Sequence, residues 1–272
     1  MIIDFHTHIF PDNIAARTVE ALSTKSGDVT NEYDGTRSGL LQCMDECGVN
    51  ASVILPIATK PSQNRNVNQF AASCQSGRIV PFGSVHPDSE DLMETLESIK
   101  AMGMKGVKLH PDYQEFFVDD RKHFDMYKKI EELGLILVFH AGVDIGLPEP
   151  VHAPPAAVTA VARLFPKLTV VAAHFGGFLM WDEVLAQPSL DNLYYDTSYA
   201  FEITSDVMFR IIRAKGYEHI LFASDGPWCS PDYVAERILS LPLPGDALDK
   251  IFYQNAQRLL DVEVIAADDT AE

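Results

Sequence analysis

Ile2-Ile3-Asp4-Phe5-His6-Thr7-His8 opens the pattern that decides the fold. Seven further short runs follow: Ala51 to Ile57, Ile79 to Val85, Gly106 to His110, Leu135 to His140, Leu168 to His174, Leu193 to Thr197, and Ile220 to Asp225. Each is rich in β-branched or aromatic residues and reads as a strand. Between them the spacing predicts helices over Thr36 to Cys47, Asn64 to Ser76, Ser89 to Met102, Asp120 to Leu133, Pro155 to Phe165, a short piece around Trp181, Ser205 to Lys215, and Pro231 to Leu239. Ser89, Asp120 and Ser205 are N-cap types, and Gly48, Gly77, Gly103, Gly134 and Gly216 stand where left-handed C-caps are needed. Strands alternating with helices require parallel pairing through right-handed crossovers. Eight such units in 272 residues predict an α/β chain folded as a (β/α)8 TIM barrel. An open doubly wound sheet shares the local pattern, but it separates the terminal strands that a barrel joins.

Residues 9–35, between the first strand and the first expected helix, far exceed an ordinary connection and are expected to cover the mouth as a lid-like insertion. Residues 1–261 then form one barrel domain, and 262–272 read as a frayed acidic tail. Hydrophobic residues make up 47% of the chain, ample for a large core. The formal charge of −18 argues against nucleic acid or an anionic membrane as partner. The chain starts without a basic, apolar leader and has no uninterrupted apolar run of about 18 residues, so a cytoplasmic protein with a small-molecule substrate is expected. Cys43, Cys47, Cys74 and Cys229 match no Cys-x-x-Cys spacing and read as reduced thiols.

Successive side chains alternate faces along a strand, so His6 and His8 point the same way and form a chelating pair. A His-x-His pair alone decides little; the remaining polar residues give it weight. Lys108 and His110 end the fourth expected strand, His140 the fifth, His174 the sixth, and Asp225 the eighth. In a barrel all strand C-termini meet at one mouth, whereas His123 and His219 fall elsewhere. Such convergence of imidazoles and a carboxylate points to a metal centre.

The chain resembles the amidohydrolase superfamily, and within it the amidohydrolase-related branch that contains aminocarboxymuconate semialdehyde decarboxylase. The resemblance rests on Asp4-Phe5-His6-Thr7-His8, Gly106-Val107-Lys108-Leu109-His110-Pro111, Phe139-His140-Ala141-Gly142, Ala173-His174-Phe175-Gly176-Gly177, Tyr195-Asp196-Thr197-Ser198, Ala223-Ser224-Asp225-Gly226-Pro227-Trp228 and Asn255-Ala256-Gln257-Arg258-Leu259-Leu260. It implies a distorted TIM barrel in which His6, His8, His140 and Asp225 bind one divalent ion, with zinc the expected metal, and a chain that can form a homodimer. It also implies that His174 acts as acid or base on substrate or water. Lys108 in a Lys-Leu-x-Pro setting resembles the dihydroorotase pattern as well. There a carboxylated lysine bridges two ions, and the histidines of strands five and six bind the second. As an uncarboxylated cation Lys108 is instead a clamp for a substrate carboxylate.

His110 and Trp228 are expected to contact substrate, and Asp144 and His152 lie on a proline-rich loop that can reach it. The expected activity is metal-dependent hydrolysis of an amide, ester or lactone, with Asp225 taking the water's proton. The alternative is non-oxidative decarboxylation of an unsaturated or aromatic acid, with Lys108 or Arg65 holding the carboxylate. A barrel that only binds metal or metabolite would have no need of the acid/base histidine.

Overall fold

The computed structural model describes residues 1–261, so the expected tail at 262–272 lies outside the described residues. Eight strands occupy the expected positions: β1 (Ile3–Thr7), β2 (Ala51–Ile54), β3 (Ile79–Pro81), β4 (Gly106–Leu109), β5 (Ile136–Phe139), β6 (Val170–Ala172), β7 (Leu193–Asp196) and β8 (Ile220–Leu221). Around them run α1 (Asp12–Lys25), α2 (Arg37–Glu46), α3 (Asn64–Ser73), α4 (Leu92–Ala101), α5 (Phe124–Glu132), α6 (Pro155–Leu164), α7 (Trp181–Ala186), α8 (Ser205–Lys215), α9 (Pro231–Leu239), α10 (Gly245–Asp249) and α11 (Asn255–Leu260).

All strand pairs are parallel and sequential, in two ladders, β1-β2-β3 and β4-β5-β6-β7-β8. Two seams join them. At one, Gly83 donates to the Gly106 carbonyl and accepts from Lys108 N–H, both at 2.8 Å. At the other, Phe5 N–H donates to the Phe222 carbonyl (2.9 Å), Asp225 N–H to His6 O (2.9 Å) and His8 N–H to Gly226 O (2.6 Å). The first and last strands are therefore bonded, which an open doubly wound sheet does not allow. The fold is a TIM barrel, distorted at both seams.

Alternation along the strands sorts the core into two clusters. Ile136 and Val138, Val171, Tyr194 and Leu221 share one face with Val53 and Phe82 and fill the barrel. Leu137, Phe139, Val170, Leu193 and Phe222 face the other way and pack under the helices. Residues Ala256 and Leu260 of α11 join the inner cluster, and Gln257 beside Met1 sets this helix at the N-terminal ends of the strands. The register of β1 against β2 shifts between Asp4 and Thr7. Phe5 accordingly packs edge-on against Phe82 inside the barrel (5.7 Å), while its neighbour His6 enters the polar site above. A regular pleat sends consecutive residues to opposite faces; the irregularity lets β1 give both a core residue and a site residue.

Other departures have local causes. Helix α1 lies inside the segment read as an insertion, and α10 and α11 follow the last expected helix. Thr204, not Ser205, caps α8: its backbone is extended and its hydroxyl accepts from Val207 N–H (3.3 Å). Ser89 caps no helix; its hydroxyl accepts from the Asn64 amide (2.7 Å), and α4 begins at Leu92. Asp120 accepts from Lys122 N–H as a cap should. Gly48, Gly103, Gly134 and Gly216 take left-handed φ values and Gly77 does not. Among the described residues no helix is long and apolar enough to cross a membrane.

A Cβ added at Gly106 would overlap the Ile136 carbonyl oxygen and the Phe82 ring at the β3–β4 seam. Gly106→Ala is expected to destabilise the barrel by about 1–3 kcal/mol, the usual cost of overpacking. The check is a lowered urea midpoint relative to wild type.

Candidate active site

His6, at the end of β1, and His8, just beyond it, meet Asp225, which follows β8 across the closing seam. His6 Nε2 and His8 Nε2 are 3.1 Å apart, and each is 3.2 Å from Asp225 Oδ1. The opposite ring nitrogens are occupied: His6 Nδ1 is 2.8 Å from Asp196 Oδ2, and His8 Nδ1 is 2.8 Å from the Leu55 carbonyl. Those acceptors place the ring protons on Nδ1 and turn two Nε2 lone pairs toward a carboxylate oxygen. Facing lone pairs at such distances repel unless a cation lies among them, so the donor set fits a divalent ion.

Asp196, at the end of β7, has a second use. Its Oδ1 accepts from His174 N–H (2.9 Å), Ser198 N–H (3.1 Å) and the Ser198 hydroxyl (2.5 Å). With its proton committed to Asp196, Ser198 Oγ accepts from His174 Nδ1 at 2.9 Å. The Nε2 lone pair of His174 then faces His140 Nδ1 across 3.0 Å. His140 does not stand in the His6–His8–Asp225 group. Its Nε2 lies 3.9 Å from Asp112 Oδ2, beyond hydrogen-bond reach, and both of those buried atoms are without a hydrogen-bond partner. A proton on His140 Nδ1 makes the 3.0 Å contact a hydrogen bond to His174; a proton on Nε2 instead turns the Nδ1 and His174 Nε2 lone pairs toward each other, as a shared ion would require.

Lys108 projects from β4 with 1% of its surface exposed, its Nζ 3.2 Å from His6 Nε2. Burial lowers its ammonium to about 8, against the opposing pull of Asp196 and Asp225. Burial, aided by the Lys108 charge, also holds His6 well below the ordinary imidazole value. At Asp225 burial acts to raise the carboxyl, yet His6, His8 and His174 bring it below its ordinary value. Asp4 staples the metal strand to β8: it accepts from Ser224 Oγ (2.5 Å), Ser224 N–H (3.0 Å) and His6 N–H (3.1 Å). Burial raises it to about 7, opposed by those donors.

His110 stacks on His140 with centroids 4.1 Å apart and planes 9° from parallel, and its Nε2 is 3.4 Å from Asp144 Oδ2. An imidazole binds an ion in its own plane. Two nearly parallel stacked rings cannot aim at one point, so His110, His140 and Asp144 do not make a metal site despite their proximity.

These groups form the floor of a cavity of about 650 Å³. Lys108, His110, Trp228 and Asp144 line it with His6, His8, His140, His174 and Asp225. His152 instead bonds Asp112 (2.9 Å), His86 accepts from Asp88 N–H in a turn, and Cys229 is buried. Arg65 is exposed on α3, outside the cavity lining. Reading the sequence assigned no role to Asp4, Asp112, Asp196 or Ser198. The available signal was a carboxylate at a strand C-terminus, which Asp196 shares with Asp225.

The family model described as amidohydrolase matches residues 3–262, and the chain belongs to that family, in the amidohydrolase-related branch of the superfamily. It is therefore an enzyme of the amidohydrolase superfamily. Among solved structures it is similar to an uncharacterised TIM-barrel protein, Bb4693, from Bordetella bronchiseptica, at 21% identity and a TM-score of 0.77, covering 96% of this chain and 98% of that one. It is also similar to a 5-carboxyvanillate decarboxylase from Sphingomonas paucimobilis (16%, TM-score 0.69, 96% and 99% covered). A third is a dihydroxybenzoic acid decarboxylase from Polaromonas sp. JS666, holding manganese and the inhibitor 2-nitroresorcinol (15%, TM-score 0.68, 96% of each covered). At these identities the likeness is one of fold. A search of curated proteins finds no match.

Because Asp196 orients His6 without facing the ion itself, Asp196→Asn is expected to weaken metal binding about 10- to 100-fold with the fold retained. Competitive chelator titration gives the affinity, and circular dichroism reports the fold.

Proposed function

We propose that this enzyme is a metal-dependent hydrolase that cleaves an amide, ester or lactone of a small molecule. The observation that carries the reading is the buried Lys108 amine beside two convergent donor sets, His6–His8–Asp225 and His140 Nδ1–His174 Nε2, at the base of one cavity. The first set would hold a divalent ion, with zinc the best match to two imidazoles and a carboxylate. The second would hold another, and Lys108, by adding carbon dioxide at its neutral amine with loss of a proton, would supply a carbamate as a further ligand; the lowered lysine value favours that neutral amine. Bound there, divalent metal supplies Lewis acidity and brings the pKa of water toward ~7.

The chain's own groups do the rest. Asp225, ionised at neutral pH, accepts the water's proton and returns it to the leaving group. Asp196 and Ser198 fix the tautomers of His6 and His174, so no reorganisation is needed during reaction. In this arrangement His174 serves as a ligand rather than as the acid or base; with a single ion it keeps the proton-transfer role. Trp228 and Phe178 add aromatic surface to the cavity lining.

Decarboxylation of an aromatic or unsaturated acid is the second reading, favoured by the decarboxylases of similar fold. Only Lys108 remains to hold its carboxylate, because Arg65 lies outside the cavity.

Incubation of metal-loaded enzyme with ester, lactone and amide panels in ¹⁸O-water is expected to label the product. Carbon dioxide release without ¹⁸O uptake establishes the decarboxylase instead. Asp225→Asn and His6→Ala are each expected to lower turnover more than a hundredfold. Metal analysis is expected to give two ions per chain and one for Lys108→Ala, whereas one ion in both removes the bridged arrangement.

A further inference from the structure

The cavity over the His6–His8–Asp225 cluster has a volume of about 650 Å³, and its upper wall differs in chemistry from its floor. Every charged or imidazole group lining it belongs to the floor: His6, His8, Lys108, His110, His140, Asp144, His174 and Asp225. The upper wall is built by α1, the residues just after β1 and β2, and α3. It carries Ile14, Leu22, Ile57, Val67 and Phe70, with Val29 from the loop after α1, interspersed with hydroxyl and amide side chains only.

Helix α1 makes the assignment specific, because it carries two apolar stripes. Ala15 and Val19 are buried, with Val19 against the Gly35 turn and Phe10, so one stripe satisfies the helix's own packing. Ile14, Thr18 and Leu22, at four-residue spacing, form a second stripe that is only half-buried and lines the cavity. Val67 and Phe70 of α3 also line the cavity and are half-buried in the same way, whereas Asn68 and Ala71 of that helix are buried. Lys25, at the last turn of α1, lies 4.4 Å over the Tyr113 ring and ties the helix end to the far wall. Two helices thus turn half-buried, mainly apolar stripes to one cavity of ligand size.

We infer that the substrate carries an extended, uncharged alkyl arm that lies between α1 and α3 while its carbonyl reaches the floor. The inference rests on the hydrolase reading for the carbonyl chemistry, and on the cavity wall for the arm. No side chain lining that wall is charged, the Lys25 ammonium over Tyr113 being exposed and outside the lining, so a charged arm would lack a counter-charge there; an anionic arm would also meet the negative field of a chain with net charge −18. Burying each methylene of an alkyl arm is expected to raise affinity about three- to fourfold until the space is filled.

The test uses metal-loaded enzyme and two probe series: n-alkyl hydroxamates of two to ten carbons, whose headgroup chelates the ion, and p-nitrophenyl esters of the same lengths. Calorimetry on the hydroxamates is expected to show affinity climbing about three- to fourfold per carbon before levelling, and kcat/KM of the esters to climb in parallel. Leu22→Asp is expected to flatten the climb, and Leu22→Trp to move the levelling point to a shorter chain. Affinity that does not change with length, or no binding at ten carbons, overturns the inference. So does a climb that both variants leave intact. A climb in hydroxamate affinity without hydrolysis of any ester, lactone or amide supports the alkyl arm and rejects the hydrolase reading, so the two fail separately.

Discussion

Two histidines and an aspartate turn unshared electron pairs toward one another at about 3 Å, and much of the surrounding structure serves to keep them there. Left to themselves, His6, His8 and Asp225 would rotate apart or take up protons. The Asp196 carboxylate and the Leu55 carbonyl prevent the first by holding the Nδ1 atoms, and burial opposes protonation of His6. Such an arrangement is costly without a cation and favourable with one, which makes metal binding and the local order of the site one event.

The closing seam of the barrel is part of the same device. Asp225 follows the last strand and His6 ends the first, and the bond from Asp225 N–H to His6 O brings their backbones into register. Asp4, between Ser224 and His6, reinforces that contact with three hydrogen bonds inside the barrel wall. An opening at this seam would separate His6 and His8 from Asp225. The shifted register of β1 belongs here too, because it lets Phe5 fill the interior beneath His6.

The aspartate after β7 links the two donor sets. One oxygen of Asp196 meets His6, and the other meets Ser198 and the backbone of His174. A change at this single carboxylate therefore reaches both sets at once, a coupling that pairwise contact lists hide. Above the floor the chemistry changes: α1 and α3 offer half-buried apolar side chains to the cavity.

The sequence by itself determined the march of eight strands and helices, because periodicity and turn residues are local properties that survive in any context. It also determined that His6, His8, Lys108, His110, His140, His174 and Asp225 share the barrel mouth, because all parallel strands end on one side. It did not reveal α1: the helix formers Ala15, Ala16, Arg17, Glu20, Ala21 and Leu22 stand inside a connection whose length reads as an insertion, and only the fold shows the helix packed at the Gly35 turn. Nor did it assign the ring nitrogens. Whether His140 turns Nδ1 or Nε2 to its neighbours depends on Asp112 and His174, 28 and 34 residues away, and only the folded chain brings them together. Strand ends fix which residues meet; the hydrogen-bond partners around them fix what each one offers.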